Sequence, residues 1–249
     1  MYHGLHETPR SAGRFDPVYS VTPSDFARQL DWLAGNGYAG VDMGGALDGT
    51  ASGQPRKVVI SFDDGDVTNV TVALPMLRER GMRAEFFVTT GFIDQPGMMS
   101  GDDVRALADA GMGIGSHGCS HAFLEDLADD ELLVELRDSR ERLQSIIGGP
   151  VSTLALPGGR GGDREHRVAL QQGYRHLFGS VPGVNRQPRA GEWLQRIAVT
   201  RDLDLEEFAS RVRWRGVRPR LLQVRHQALG VTKRVLGNAG YERLRERLL

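Results

Sequence analysis

The sequence predicts an α/β fold built on a parallel sheet, and three observations carry that prediction. Short apolar, β-branched runs alternate with amphipathic helical segments over about 200 residues, the pattern of consecutive βαβ units. Turn and cap residues separate the two kinds of segment at most junctions. The charged and histidine-bearing motifs follow predicted strands. In parallel α/β folds that is the ligand-binding end, whether the sheet is open or closed into a barrel. A chain of 249 residues can bury the core that such a domain needs.

Thr22-Pro23-Ser24-Asp25 opens the first predicted helix, with a capping hydroxyl and an early acid. Phe26, Leu30 and Leu33 then repeat at helical spacing, and Gly35 and Gly37 end it. Gly44 to Gln54 reads as a Gly/Ala/Ser/Asp loop. Val58 to Phe62 is a short buried strand, followed by a helix that ends at Arg80-Gly81 and holds Pro75 in its first turns. Ala84 to Val88 is the next strand. Ser100 caps a helix running to Ala110, and Met112 to Gly115 is again a strand. Leu127 to Ile147 is the longest amphipathic helix, stopped by Gly148-Gly149-Pro150. Thr153–Leu156, Tyr174–Phe178 and Leu194–Val199 read as later strands, with a helix between the first two. Leu205 to Trp214 begins a helical C-terminus. The expected division is a catalytic domain over 1–210 and a basic amphipathic segment over 211–249.

Composition narrows the class. Charged residues make up 25% and hydrophobic residues 40%, values of a globular enzyme rather than a disordered chain. With Cys119 alone, neither an intrachain disulfide nor a cysteine zinc cage can form. No run of about 18 apolar residues is present to span a membrane. The first residues lack the apolar core of a secretory signal, so the expected location is the cytoplasm. The net charge of −1 hides an asymmetry: residues 211–249 hold 11 Lys and Arg against two Glu, while 1–210 hold 20 basic and 30 acidic residues. Trp214, Val217, Leu221, Val224, Ala228, Val231 and Val235 recur at helical spacing among those arginines. Such a stripe fits a helix packed on the body with a solvated basic face. It equally fits an interfacial helix on an anionic membrane surface, which would place the protein peripherally at the inner membrane face. No nucleic-acid recognition motif accompanies the charge.

Two motifs carry chemistry. In Val58-Val59-Ile60-Ser61-Phe62-Asp63-Asp64-Gly65, two carboxylates stand side by side at a strand end. Adjacent strand residues face opposite ways, but a strand opening into Gly65 can turn both toward one cleft. Two such anions repel unless a cation or a proton separates them. Gly115-Ser116-His117-Gly118-Cys119-Ser120-His121 places two imidazoles four apart among glycines. That spacing suits one metal ion, and by itself it also suits a polar loop with two partly exposed histidines.

Taken together, the segments Ser61–Gly65 and Ser116–His121 resemble the polysaccharide deacetylase family (the NodB-homology domain of carbohydrate esterase family four). The similarity extends from Val58 to about Phe208 and includes Leu154-Ala155-Leu156-Pro157-Gly158-Gly159. The resemblance implies a distorted (β/α) barrel of about seven parallel strands. It implies that Asp64, His117 and His121 hold a divalent ion, zinc by preference, with iron, nickel or cobalt able to take the same ligands. Asp63 would then be the general base acting on water.

Departures from the family pattern matter as much. No convincing C-terminal Leu-x-His supplies the acid for the leaving amine, and His226 lies in the basic segment. Met1-Tyr2-His3 instead resembles the N-terminal Tyr-His motif of the circularly permuted poly-N-acetylglucosamine deacetylases, which makes His3 the expected acid. The third motif has apolar residues, Thr153 to Leu156, where many members carry an Arg that pairs with the base. The orientation of Asp63 is thereby left to other groups. Pro157 and Gly158 would shape the groove wall by backbone geometry, and His6 is a further groove candidate. Arg160 reads as a solvated loop residue and Cys119 as a small filler.

The expected function is metal-dependent removal of N-acetyl groups from an amino sugar in a polysaccharide, oligosaccharide or lipid-linked glycan precursor. The alternatives are hydrolysis of another non-peptide C–N bond, as in allantoinase-like relatives, and a catalytically silent carbohydrate-binding or membrane-associated relative. Asp63, Asp64, His117 and His121 together speak against silence.

Overall fold

Phe62 and Phe86 lie opposite one another on neighbouring parallel strands, their rings stacked at 5.0 Å, and the sheet grows outward from that pair. The computed structural model describes residues 1–48, 53–215 and 221–224. Its elements run in order α1 (Pro23–Gly35), β1 (Tyr38–Val41), α2 (Met43–Leu47), β2 (Arg56–Val59), β3 (Ser61–Phe62), α3 (Leu74–Glu79), β4 (Glu85–Val88), α4 (Gly101–Asp109), β5 (Gly113–Ser116), α5 (Asp129–Ile147), β6 (Thr153–Ala155), α6 (Asp163–Gln171), β7 (His176–Phe178), β8 (Trp193–Leu194) and α7 (Leu205–Arg213). Strands β3 to β8 form one six-stranded sheet in sequence order, every pairing parallel, curled into a half-barrel. Strands β1 and β2 pair with each other as a separate parallel ribbon.

The expected run Val58–Phe62 is therefore two strands. The ladder breaks at Ile60, and β2 and β3 find different partners. The expected loop at Gly44 likewise begins as helix: Asp42 caps α2 by accepting from the Gly45 nitrogen at 3.1 Å. Most caps fall where the sequence put them. Thr22 accepts from the Asp25 nitrogen at 3.0 Å, Ser100 and Asp103 form a capping box, and Gly148 closes α5 with φ 67°.

The N-terminal residues extend the half-barrel. Tyr2 donates its N–H to the Ser61 carbonyl at 2.7 Å and accepts from the Asp63 nitrogen at 2.9 Å. On its other side the Met1 nitrogen donates to the Ile197 carbonyl, and the Met1 carbonyl accepts from the Val199 nitrogen, each at 2.9 Å. Residues 1–2 thus lie between β3 and the stretch after β8. The parallel barrel-like architecture is as expected, but the sheet has six strands in a half-barrel rather than about seven, and β1 and β2 stand apart as their own sheet.

Alternation along the strands decides which side chains meet. Phe62, Phe86, Val88, Leu154 and Leu177 face the helices, joining Tyr2, Phe26, Leu77, Leu107, Leu132 and Leu136 in the main core. Phe87, Ala155, Phe178 and Leu194 face the other way, where Met43 of α2 packs on them. Each fully buried Phe or Leu contributes about 1.5–3 kcal/mol over an exposed one. Because Phe62 and Ser116 end β3 and β5 on the helix side, the next residues, Asp63 and His117, turn toward the barrel axis.

Candidate metal and catalytic centre

The strand end after Phe62 shows how two adjacent acids come to face one cleft. Asp63 continues the extended strand inward. Asp64 turns through the left-handed region at φ 75°, and Gly65 follows at φ 95°. A non-glycine residue pays a steric penalty there, and such conformations concentrate at functional sites. His121 adopts the same region at φ 64°. Asp64, His117 and His121 converge so that one ligand atom from each lies within 4.8 Å of the others. His117 Nε2 is 3.4 Å and His121 Nε2 3.2 Å from Asp64 Oδ1.

The donor chemistry fits a divalent ion. His117 Nδ1 lies 2.9 Å from the Ala155 carbonyl, which can only accept, so that nitrogen carries the proton and Nε2 offers its lone pair. Asp64 Oδ1 is buried and has no donor in hydrogen-bonding geometry, an orphan that a cation would satisfy. Burial raises the Asp64 pKa, yet contact with His121 and the charges of His117 and His3 outweigh it and hold the carboxyl well below its usual range. Burial lowers the His117 pKa and favours the neutral ligand form, although Asp63 and Asp64 pull the other way. His121 is raised, because Asp64 more than reverses its burial. A point that draws a proton so strongly draws a metal cation for the same electrostatic reason. With side chains 35% and 28% exposed, His121 and Asp64 leave one side of the site open to water and substrate.

The group that orients Asp63 comes from a distant part of the chain. Arg196 Nη1 donates to Asp63 Oδ1 at 2.6 Å, with the two side chains 5% and 3% exposed. Arg196 Nε donates to the Gly179 carbonyl at 2.9 Å, and the guanidinium lies over the Phe87 ring at 5.4 Å. The arginine that the third motif lacks thus arrives from the segment after β8. One available signal was a charged residue inside Leu194–Val199, a largely apolar run read as a strand, of which only Leu194 belongs to β8. Burial raises the Asp63 pKa, but Arg196, His117 and His3 overcome it, and the carboxyl stays below its ordinary value. Asp63 therefore stands as a buried carboxylate beside the triad, with its Oδ2 3.9 Å from His117 Nε2.

His3 enters from the N-terminal bridge. Its ring stacks on Tyr19 at 4.6 Å, its Nδ1 is buried without a hydrogen-bond partner, and its carbonyl accepts from Asn69 Nδ2 at 2.8 Å. It is close enough for its charge to act on both Asp63 and Asp64. His6 is a different matter: it is fully buried and lines no groove. Its Nδ1 pairs with Ser20 Oγ at 2.9 Å, and its Nε2 lies 3.3 Å from Asp66 Oδ2. Asp66 also receives Thr68 N–H at 2.8 Å, and Thr68 Oγ1 receives Leu5 N–H at 2.8 Å. His6 thus belongs to a polar cluster that clamps residues 3–6 onto the loop after Asp64.

Pro157 is buried behind the site, whereas Gly158 reaches the surface at φ 63°, where a Cβ would come 2.4 Å from the Phe123 ring. Arg160 is only 15% exposed rather than solvated; it lies over Phe123 at 4.6 Å and pairs with Glu125 at 3.3 Å. Cys119 Sγ donates toward the Glu135 carbonyl at 3.3 Å, and burial pushes the thiol pKa up, as suits an inert filler. His226 lies outside the described residues.

Comparison with known proteins agrees with this geometry. The family model for polysaccharide deacetylase matches residues 50–177, more than half of the chain. A Bacillus subtilis protein named for the same family, YxkH, is 25% identical over 213 residues, spanning 84% of this chain and 74% of its own. In fold, the chain is similar to the Streptococcus pyogenes deacetylase PplD (TM-score 0.72, 22% identity, 84% of this chain and 94% of that one). It is similar also to IcaB from Ammonifex degensii (TM-score 0.70, 22% identity, 86% and 94%). Parallel strands that deliver an aspartate pair and a histidine pair to one end of the sheet, and a family match across both motifs, lead to one conclusion: the protein belongs to the polysaccharide deacetylase family.

Proposed function

We propose that this chain is a metal-dependent N-deacetylase acting on an N-acetylated amino sugar of a polysaccharide, oligosaccharide or lipid-linked glycan precursor. The observation that carries the reading is the difference in surroundings between the two neighbouring acids. Asp64 converges with two imidazoles, while Asp63 is buried, ionised and held by Arg196. Asp64, His117 and His121 would hold a divalent ion, zinc being the best match to one carboxylate and two imidazoles, which would supply Lewis-acid polarisation of the acetamide carbonyl and a more acidic water. Asp63 takes the proton from the attacking water, and Arg196 keeps its carboxylate aimed into the cleft. His3 gives a proton to the departing amine. Phe123, Gly158 and the backbone at Pro157 form the wall against which the sugar lies.

The test is acetate release from a panel of N-acetylated oligosaccharides, nucleotide sugars and lipid-linked sugars, before and after chelation. Activity is expected to vanish with the metal and to return on adding Zn²⁺. Full activity in the metal-free protein would overturn the mechanism, and activity confined to a cyclic amide would favour the allantoinase-like alternative.

We place the protein in the cytoplasm, with the basic segment 211–249 holding it to an anionic inner leaflet. Supporting this are the net excess of basic residues there and the exposure of Leu221 and Val224 at 59% and 60%. No helix among the described residues is long and apolar enough to cross a membrane. Equal sedimentation with anionic vesicles before and after removal of residues beyond Arg211 would refute it.

A further inference from the structure

Helix α5 turns a buried stripe toward the sheet, with Leu132, Leu136 and Leu143 as its apolar members and Glu135 and Ser139 as polar ones. A carboxylate in such a stripe is costly unless it is fully used. Glu135 is 8% exposed, and the site described above does not employ it. Its Oε1 accepts the backbone N–H of Cys119 and that of Ser120, both at 2.7 Å. Ser120 Oγ lies 3.1 Å from each carboxylate oxygen. These donors sit between His117 and His121.

Successive backbone N–H groups following a left-handed residue form a concave nest that binds an anion. Gly118, at φ 79°, creates that concavity, and a Cβ there would stand 2.7 Å from Glu135 Oε1. Ser139 fixes the start of the same loop: its Oγ pairs with Ser116 Oγ at 2.8 Å, and Ser116 Oγ accepts the Gly118 N–H at 3.1 Å. The loop is thus templated by α5, and its far end is His121, held in the left-handed region.

We propose that Glu135 is the positioning residue of the metal site: its carboxylate fills the nest between His117 and His121 and sets the separation and aim of the two imidazoles. It acts through the backbone of Cys119 and Ser120. The inference rests on the metal reading above. Partners that orient ligands change metal affinity by about 10–100-fold when they are removed.

The test compares wild type, Glu135→Gln and Glu135→Met, prepared metal-free. Co²⁺ is titrated against a competing chelator while its visible spectrum is recorded, and urea unfolding of the metal-free proteins runs in parallel. A glutamine offers one oxygen to both N–H groups and its amide to Ser120 Oγ, so Glu135→Gln is expected to bind Co²⁺ within about threefold of wild type. Glu135→Met fills the same space but leaves two buried N–H groups unmet. It is expected to weaken Co²⁺ binding by at least about tenfold and to shift the absorption bands while the metal-free protein is still folded. Gly118→Ala drives the carboxylate out from the opposite side and serves if Glu135→Met does not fold; the same weakening is expected. Wild-type affinity and spectrum in Glu135→Met or Gly118→Ala would overturn the proposal, as would a Gln variant as impaired as the Met variant. A wild-type protein that binds no Co²⁺ would instead overturn the metal reading, and the inference with it.

Discussion

Replacing Arg196 by methionine removes the positive charge 2.6 Å from Asp63 Oδ1 and leaves a stem of similar shape between Phe87 and Phe178. With both side chains almost fully buried, the charges interact across about 4 Å at an effective dielectric near 20, or about 4 kcal/mol. At 1.36 kcal/mol per pKa unit this bounds the change at about 3 units, and measured Asp–Arg pairs give about 1–3. His117 and His3 still favour the carboxylate, so the lower half of that range is expected. In the wild type, the depressed pKa of Asp63 contributes stability above the unfolded carboxylate pKa and loses it as pH falls through the folded value. In Arg196→Met the sign reverses: burial now dominates, and Asp63 destabilises increasingly as pH rises through its raised pKa. The acid limb of kcat/KM should therefore move up by about 1–2 units. The stability gap to wild type should widen from pH 4 to pH 7 by up to about 1–3 kcal/mol, the free energy of a shift of that size. Urea unfolding at several pH values and pH–rate profiles measure both. An unmoved acid limb with a constant stability gap would refute the reasoning. Arg196→Lys keeps the charge but cannot serve both Asp63 and the Gly179 carbonyl, and should fall between.

Asp63→Asn should slow turnover by at least about a hundredfold while bound metal, measured by elemental analysis, stays at the wild-type ratio. His3→Ala should cost about a hundredfold or more on an N-acetylated glycan and little on an activated aryl acetate, whose leaving group needs no proton; equal losses on both would remove His3 from the acid role. His6→Ala strands Ser20 and Asp66 in a buried site and should lower unfolding free energy by about 1–3 kcal/mol, with KM close to wild type in the folded enzyme. A large KM effect without loss of stability would restore His6 to the groove.

Local chemistry was legible in the chain. The capping hydroxyls of Thr22 and Ser100, the left-handed stop at Gly148 and the adjacency of acids and glycine at Asp63-Asp64-Gly65 each depend on residues within a few positions. What local pattern could not show was which elements pair. Nothing near Ile60 says that the ladder breaks there, because the break depends on β1 and β4 offering different edges. Nor does the sequence around His6 distinguish a groove residue from a buried one, since its partners, Ser20 and Asp66, come from separate segments.

By itself, then, the sequence determined the parallel α/β pattern and the residue types that make a metal site plausible chemistry, because helix and strand periods and short motifs are written in nearest neighbours. The tertiary structure decided what surrounds the two acids. Asp63 meets an arginine 133 positions away, and the loop holding His117 and His121 rests on a glutamate of α5. Those pairings exist only once the strand ends are brought together. Burial then makes each buried charge costly unless it meets its partner, a condition that no local stretch of sequence can state.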